Sequence, residues 1–307
     1  MNSWRDRDSL AARASLESSA ALKDTPERYG AKGVARGGGA PRRSSRGWGP
    51  ASIGKSWRLS VLLISWLLLA DSASAQDARS IVAEAQRRTD AKSQRYEGIL
   101  QVFGSKGAIA DKRWTLERLG SHGNSRMVLR FTVPAEVKGV AILVVNHPDR
   151  ASDQWMWTPA IERDRRIALQ DRSTQFFGTD FSFEDLEERD VEQFDYSMIG
   201  DDTVDGAACW KIQSVPRQTK SSQYTRSLVW IRKDNYTLAR IENFVRDQLG
   251  RRLNYFDVAN VQGIWTARRL EMSDVRRGSR TVLTLDKLEY NVPLKDENFT
   301  LQALRRQ

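Results

Sequence analysis

The sequence predicts a mainly β protein with few helices, built on an antiparallel sheet. Three observations lead to this fold class: thirteen segments with strand character, turn residues between them at intervals of about 8–12 residues, and only two short helical segments. Sequential strands joined by short turns pair antiparallel. No linker and no internal repeat interrupts this pattern after Gln76, so we expect one domain.

The predicted strands share β-branched and aromatic residues, and turn signals such as Asp205-Gly206 and Gln262-Gly263 separate them. They are Tyr96–Phe103, Lys112–Leu119, Arg126–Val133, Val140–Val145, Gln154–Thr158, Ile161–Ile167, Phe194–Ile199, Ala208–Val215, Tyr224–Arg232, Leu238–Val245, Arg251–Val258, Ile264–Val275 and Arg280–Tyr290.

Two segments predict helices. Asp77–Lys92 carries a narrow apolar stripe of Ile81, Val82 and Ala85, which is typical of a helix that docks on another element. In the second segment, Ser182 with Asp185 three residues later is close to a capping box. It predicts a short helix over Phe183–Glu188.

Alternation in several strands predicts one apolar face. In Arg126–Val133, for example, Met127, Leu129 and Phe131 share a face that opposes the charged and polar residues. Such a face needs a cover, and two short helices are little cover for more than ten strands. The residues alone therefore leave two solutions open: a two-layer sandwich with a filled core, or a cavity lined by the sheet under a helical lid.

The N-terminal region predicts export. Residues 1–55 are rich in Gly, Ser, Ala and Arg, and we expect a disordered extension. Residues 56–75 read as a signal peptide: Lys55 and Arg58 precede the apolar run Leu59–Ala70, and Ala73-Ser74-Ala75 is an A-x-A site, so cleavage is expected after Ala75. As a helix the run spans about 18 Å, which is too short for a membrane anchor. The mature domain is then 76–307.

Composition excludes several function classes. The single cysteine, Cys209, cannot form a disulfide within the chain, and its apolar strand context favours a buried side chain over a reactive thiol. The formal charge is +10, but residues 1–75 hold 12 Lys and Arg against 6 Asp and Glu, so the rest of the chain carries only +4. Export and this modest charge argue against nucleic-acid binding.

No catalytic constellation is found in the sequence, so we expect no enzyme, cofactor or metal. The only two histidines, His122 and His147, lie in polar turn-like contexts, and no H-E-x-x-H, G-x-S-x-G or cysteine pair occurs. The stretch Asp201–Gly206 imitates the start of a calcium loop, but Ile212 stands where the loop requires Glu.

Four motifs in order resemble the outer-membrane lipoprotein-sorting family, the LolA-like periplasmic carriers. They are F-T-V-P-A-E-V-K-G at 131–139, W-M-W-T-P-A at 155–160, R-R-I at 165–167 and F-G-T-D-F-S-F-E-D-L at 177–186. The resemblance runs from about Arg87 to Thr300. It implies a curved antiparallel sheet, a half-open β-barrel, covered by short helices around an apolar cavity.

Candidate cavity residues are large apolar or aromatic side chains, each of which is also an ordinary core residue in a filled sheet. They are Phe103, Trp114, Met127, Phe131, Trp155, Trp157, Trp230, Tyr255 and Trp265.

Two groups of charged residues lie near the second predicted helix. The first precedes it and consists of Arg163, Arg165 and Arg166; the second, in the loop and the helix itself, consists of Asp180, Glu184 and Asp185. They have two interpretations. One is an ion-pair cluster that holds the loop and contributes little energy per pair. The other is a docking surface for a membrane partner or for lipid head groups, since Arg suits phosphate.

The resemblance implies a periplasmic carrier that shields the acyl chains of lipoproteins or lipids between the inner and the outer membrane. Its partners would be that cargo, an inner-membrane transporter and an outer-membrane acceptor. The alternative is a periplasmic lipid- or protein-binding sensor or adaptor, as in relatives of LolA that act in envelope stress signalling. A lipid hydrolase is disfavoured because no catalytic triad is present.

Overall fold

The computed structural model describes residues 77–104, 106–218 and 220–306. The predicted extension over 1–55 and the signal peptide over 56–75 lie outside the described residues. Within those ranges, none of the helices has the length and apolar character needed to cross a bilayer.

One antiparallel sheet of thirteen strands forms the described part of the chain, and all thirteen predicted strands are confirmed. Its strands are β1 (Ser93–Gly104), β2 (Gly107–Ser121), β3 (Asn124–Val133), β4 (Ala141–Val145), β5 (Asp153–Thr158), β6 (Arg163–Arg166), β7 (Phe194–Val204), β8 (Ala207–Pro216), β9 (Arg226–Arg232), β10 (Leu238–Val245), β11 (Gln248–Val261), β12 (Ile264–Asp274) and β13 (Ser279–Tyr290).

The strand order is β6-β5-β4-β3-β2-β1-β13-β12-β11-β10-β9-β8-β7. Chain neighbours pair with each other except β6 and β7, and the first strand, β1, pairs with the last one, β13. The longest-range pairing therefore joins the two halves at the middle of the sheet. Within the described ranges β6 and β7 are the edges, so the curved sheet stays open.

The inner face of the sheet, which carries Trp114, Leu129 and Met272, has two covers. Over β2–β4 and β12–β13 the cover is the loop that carries Phe176, Phe181 and Phe183, and these rings complete a buried cluster. Against β8–β10 packs helix α1, residues 77–88, which begins at the predicted Asp77 and ends four residues before the predicted Lys92.

The outer face is partly covered as well, by a C-terminal segment that sequence patterning missed. A 3₁₀ turn at Asp296–Phe299 and the one-turn helix α2 (Leu301–Leu304) place Phe299 and Leu304 against Leu143 and Trp157. Nine residues of mixed character, from Asp296 to Leu304, are too few for a helical period to be recognised.

The predicted helix over Phe183–Glu188 is wrong. Only one 3₁₀ turn forms, at Glu184–Leu186, and Glu187 returns to an extended conformation. The Asp185 carboxylate accepts hydrogen bonds from the backbone N–H and the hydroxyl of Ser182, both at 2.7 Å. This is one of the two hydrogen bonds of a capping box, the one from the N-cap backbone N–H to the side chain three residues later. The neighbouring carboxylates are instead held by distant side chains, and these tertiary contacts end the helix after one turn.

Candidate functional site: a pocket on the inner face

A pocket of about 500 Å³ lies on the inner face of the sheet. It is bordered by Val82 and Ala85 of α1 on one side and by residues 184, 185 and 187–189 on another. Its size is within the range of about 300–1,000 Å³ that is usual for small-molecule sites.

The apolar wall follows directly from strand register. Tyr255 of β11 pairs with Leu270 of β12, and Leu270 pairs with Leu283 of β13. Cross-strand partners present their side chains on the same face. All three border the pocket, and Val229 and Ile231 of β9 continue the wall beneath α1.

The polar wall is formed by the acidic segment, defined here as residues 184–188, together with Arg189. Glu187 is almost completely buried and pairs with Arg172 at 2.7 Å and with Lys220. Asp185 pairs with Arg251 at 2.9 Å.

Two further carboxylates of this segment are also held internally. Glu188 pairs with Arg118, and Glu184 accepts hydrogen bonds from the Ser222 hydroxyl and, at 2.9 Å, from the Gln223 backbone N–H. Each carboxylate of the segment therefore has a partner that fixes its position at the pocket.

Burial shifts the ionisation of several of these groups. It raises the pKa of Glu184, against the opposing effect of its hydrogen bonds, and it lowers the pKa of Arg118. Burial also raises the pKa of Tyr196 to about 12 and that of Tyr255 further, so both phenols stay neutral donors at physiological pH. The pocket thus presents paired charges beside neutral phenol hydroxyls.

Three of the nine predicted cavity residues border the pocket: Trp114, Tyr255 and Trp265. Trp114 is buried and its indole N–H makes no hydrogen bond with the described residues, whereas Trp265 is 42% exposed at the edge.

The other six lie elsewhere. Met127 and Phe131 are on the inner face but are covered by the phenylalanine loop, where the Phe131 ring stacks on Phe176. The remaining four belong to the outer face or its rim: Trp155 and Trp157 with the C-terminal segment, Trp230 with Cys209, and Phe103 beneath Arg280.

The predicted charged groups do not pair with each other. Arg166 pairs with Asp153 at 2.5 Å, while Arg163 and Arg165 are exposed on the edge strand β6. Asp180 is buried, accepts from the Thr281 hydroxyl at 2.8 Å and pairs with Arg277. Glu184 and Asp185 border the pocket. Their role in docking a partner or a head group stays a prediction.

Sequence reasoning missed most of the pocket. Leu270, Leu283, Val229 and Ile231 carry only the alternation signal, which assigns a face and not a cavity. Arg189 was missed because it reads as one more charge in an acidic surface stretch.

Solved structures share this architecture along their whole length. A domain from Vibrio parahaemolyticus, provisionally assigned to outer-membrane lipoprotein sorting, has a TM-score of 0.72 at 24% identity and covers 76% of this chain and 100% of its own. A DUF1329 family protein from Desulfovibrio piger has a TM-score of 0.72 at 25% identity, covering 75% and 99%. A LolA superfamily protein from Nitrosomonas europaea has a TM-score of 0.59 at 18% identity, covering 74% and 98%.

The fold is therefore LolA-like, and the family resemblance predicted from the four motifs is confirmed. A family model described only as "uncharacterized protein" matches residues 123–306, and the chain belongs to that family. No curated protein sequence matches the chain.

Proposed function

We propose that this protein is a periplasmic carrier that shields the acyl chains of lipoproteins or lipids during transfer from the inner to the outer membrane. The observation that carries the proposal is the pocket of about 500 Å³ beside α1, walled by apolar side chains of seven or more strands. The provisional assignment of the Vibrio domain to lipoprotein sorting supports the same class of cargo.

The physical need for such a carrier is large. Each buried methylene contributes about 0.8 kcal/mol, so a chain of fifteen methylenes costs roughly 12 kcal/mol to expose to water. A pocket that removes most of this cost makes diffusion between two membranes feasible without a nucleotide. In this proposal Trp114, Tyr255 and Trp265 contact the acyl chain, and α1 is the part of the cover that moves.

The proposal includes the domain assignment made from the sequence: extension 1–55, signal peptide 56–75 and carrier domain 76–307. Loading from an inner-membrane transporter and release to an outer-membrane acceptor are the partner steps that it requires. The proposed role is binding and transfer, with no chemical step on the cargo.

The first experiment is lipid mass spectrometry. The full chain is expressed in a Gram-negative host, purified from the periplasmic fraction without detergent, and extracted with organic solvent. A stoichiometric acyl-bearing ligand is the expected result and identifies the cargo class. An empty protein that also fails to bind the neutral fluorophore N-phenyl-1-naphthylamine would overturn the carrier, and the sensor or adaptor without a lipid ligand would replace it.

A matched pair of variants tests the pocket itself. Leu270→Trp adds volume on the inner face inside the pocket, whereas Leu228→Trp adds the same volume to a half-buried leucine whose neighbours are on the outer face. We expect Leu270→Trp to lose fluorophore binding at least tenfold and Leu228→Trp to retain it. Equal binding by both variants would place the fluorophore outside this pocket.

A further inference from the structure

A row of buried polar side chains crosses the inner face at the polar end of the pocket. Ser214 of β8 pairs with Ser227 of β9, and Ser227 pairs with Asn243 of β10. All three are at most 4% exposed, on a face where their neighbours are Ile212 and Ile241. Burying polar groups among aliphatic ones is costly unless they are hydrogen-bonded, so this row calls for an explanation.

Arg189 lies over this row. Its Nη2 donates to Ser227 Oγ at 2.9 Å and to Asn243 Oδ1 at 3.2 Å, and its guanidinium lies 5.2 Å from the centre of the Phe194 ring. These contacts fix the plane of the guanidinium at the pocket wall. Its Nε and Nη1 donors make no hydrogen bond with any described residue.

The charge of Arg189 is not neutralised by a carboxylate. Across the described ranges, no Asp or Glu oxygen is within 4 Å of its guanidinium nitrogens, although four carboxylates precede it in residues 184–188. Three of those are neutralised by other cations, as described above. The fourth, Glu184, accepts hydrogen bonds from the Ser222 hydroxyl and from the Gln223 backbone N–H.

A second polar group of the row also lies at the pocket. The Ser214 hydroxyl is buried and borders the pocket. It adjoins Tyr196, its cross-strand partner on β7, whose hydroxyl is a neutral donor. The polar end therefore offers an unpaired cation, free guanidinium donors and hydroxyl groups, all beside an apolar wall.

We propose that Arg189, with the Ser214–Ser227–Asn243 row, binds the anionic head group of a carboxylate- or phosphate-bearing lipid whose acyl chain occupies the apolar part of the pocket. A fixed guanidinium suits both anions because its Nε–H and Nη1–H groups remain to donate hydrogen bonds and because it keeps its charge when buried. The inference rests on the proposed carrier function and narrows its cargo. The acylated end of a lipoprotein carries its chains on ester and amide groups with no anion there, so this site favours free anionic lipid.

The test compares ligands of one chain length on the full protein. Decanoate, decyl phosphate and decanol displace N-phenyl-1-naphthylamine from wild type, Arg189→Gln, Arg189→Lys and Arg276→Gln, which removes an exposed arginine away from the pocket. In wild type and Arg276→Gln we expect both anions to bind about tenfold to a hundredfold more tightly than decanol. In Arg189→Gln that preference disappears while the affinity for decanol stays within twofold, and Arg189→Lys retains part of it.

The outcomes separate the two proposals. If decanol and the anions bind equally in wild type, the head-group site is wrong and the carrier stands. If no amphiphile displaces the fluorophore, the carrier itself is wrong. Inorganic phosphate, added at the concentration of decyl phosphate, should leave the preference unchanged; if it abolishes the preference, Arg189 binds free anions and the head-group assignment fails. Far-ultraviolet circular dichroism confirms that each variant is folded. If Arg189→Gln does not fold, the comparison is made with Arg189→Lys.

Discussion

Glu187 shows how single residues hold the pocket wall in place. Its side chain is 3% exposed and receives Arg172, Lys220 and, at 3.1 Å, the Gln154 amide. A buried carboxylate is stable only with such partners, and removing it leaves the partner cations without a countercharge.

We therefore expect Glu187→Gln to reduce the free energy of unfolding by about 3–5 kcal/mol. The measurement is urea denaturation followed by circular dichroism. Glu97→Gln is the matched control, because Glu97 pairs with an exposed Lys287 and such pairs contribute about 0–1 kcal/mol. A similar loss in both variants would mean that burial of the Glu187 pair does not matter.

Asp153 gives a prediction for pH. Burial acts to raise the pKa of its carboxyl, but hydrogen bonds from Arg150, Arg166 and His147 outweigh burial and hold that pKa well below the ordinary 3.8. Because the folded-state pKa is depressed, the stabilisation is complete above pH 3.8 and is lost as pH falls through the folded-state value. Asp153→Asn should thus cost roughly 1.5–3 kcal/mol at pH 7 and progressively less below about pH 4.

Urea denaturation of both proteins at pH 7, 5 and 3 measures this difference. The exposed pair of Asp195 with Arg217 provides the control: Asp195→Asn should change stability by less than about 1 kcal/mol at every pH. A cost for Asp153→Asn that stays constant down to pH 3 would contradict the assignment.

Residue identity alone did not separate pocket from core. Phe131 and Tyr255 both alternate onto the inner face, yet Phe131 is covered by Phe176 and Phe177 while Tyr255 borders open volume. What decides between them is the path of the loop that carries those phenylalanines, and that loop has no periodicity from which its path can be read. The sequence could predict which face of the sheet each side chain lies on, but not how far that side chain is from the loop or helix that covers the face.

At the scale of elements, the strands were predictable because each one carries its own signal. β10 begins and ends at the predicted residues, and the other twelve overlap their predictions. The 183–188 helix failed because long-range pairs to Arg172, Lys220 and Arg251 determine the backbone there. Local propensity is a weak guide where tertiary contacts dominate.

Gly98 lies where the two halves of the sheet meet, in the pairing of β1 with β13. It lies at a bulge in β1, opposite β13, and a Cβ there would overlap the backbone carbonyl of Thr284 and touch Trp114. We expect Gly98→Ala to force β1 away from β13 and to lower the free energy of unfolding by about 1–3 kcal/mol.

Gly250 of β11 is the matched control for this change. A Cβ at Gly250 meets its nearest neighbours, in Asn243 and Val245, at 3.6 Å, which is ordinary contact. Gly250→Ala should be neutral or stabilising by up to about 1 kcal/mol, since it restricts the unfolded chain. Chemical denaturation of both variants decides the matter, and equal effects would show that close approach at Gly98 is unimportant.

At the scale of the whole molecule, one open sheet carries both a packed cluster and a pocket on its inner face. The phenylalanine loop fills the inner face over β2–β4, and α1 covers β8–β10 with short side chains such as Ala78 and Ala85. Small residues on the covering helix leave volume between helix and sheet that larger ones would fill. The covers therefore contribute to the division of the inner face, although the pocket extends to Trp114 and Met272 of the packed cluster.

This division makes ligand binding and stability measurable together. A ligand that binds only the folded state stabilises it by about 2.7 kcal/mol at one hundred times its Kd. For a unit of this size that corresponds to a rise in Tm of about 5–10 °C. We expect decanol to produce this rise in wild type and Leu228→Trp, and less than a quarter of it in Leu270→Trp. Differential scanning calorimetry at fixed protein concentration measures all three. A full rise in Leu270→Trp would move the ligand out of the pocket, because a tryptophan there leaves no room for an alkyl chain against Tyr255 and Leu283.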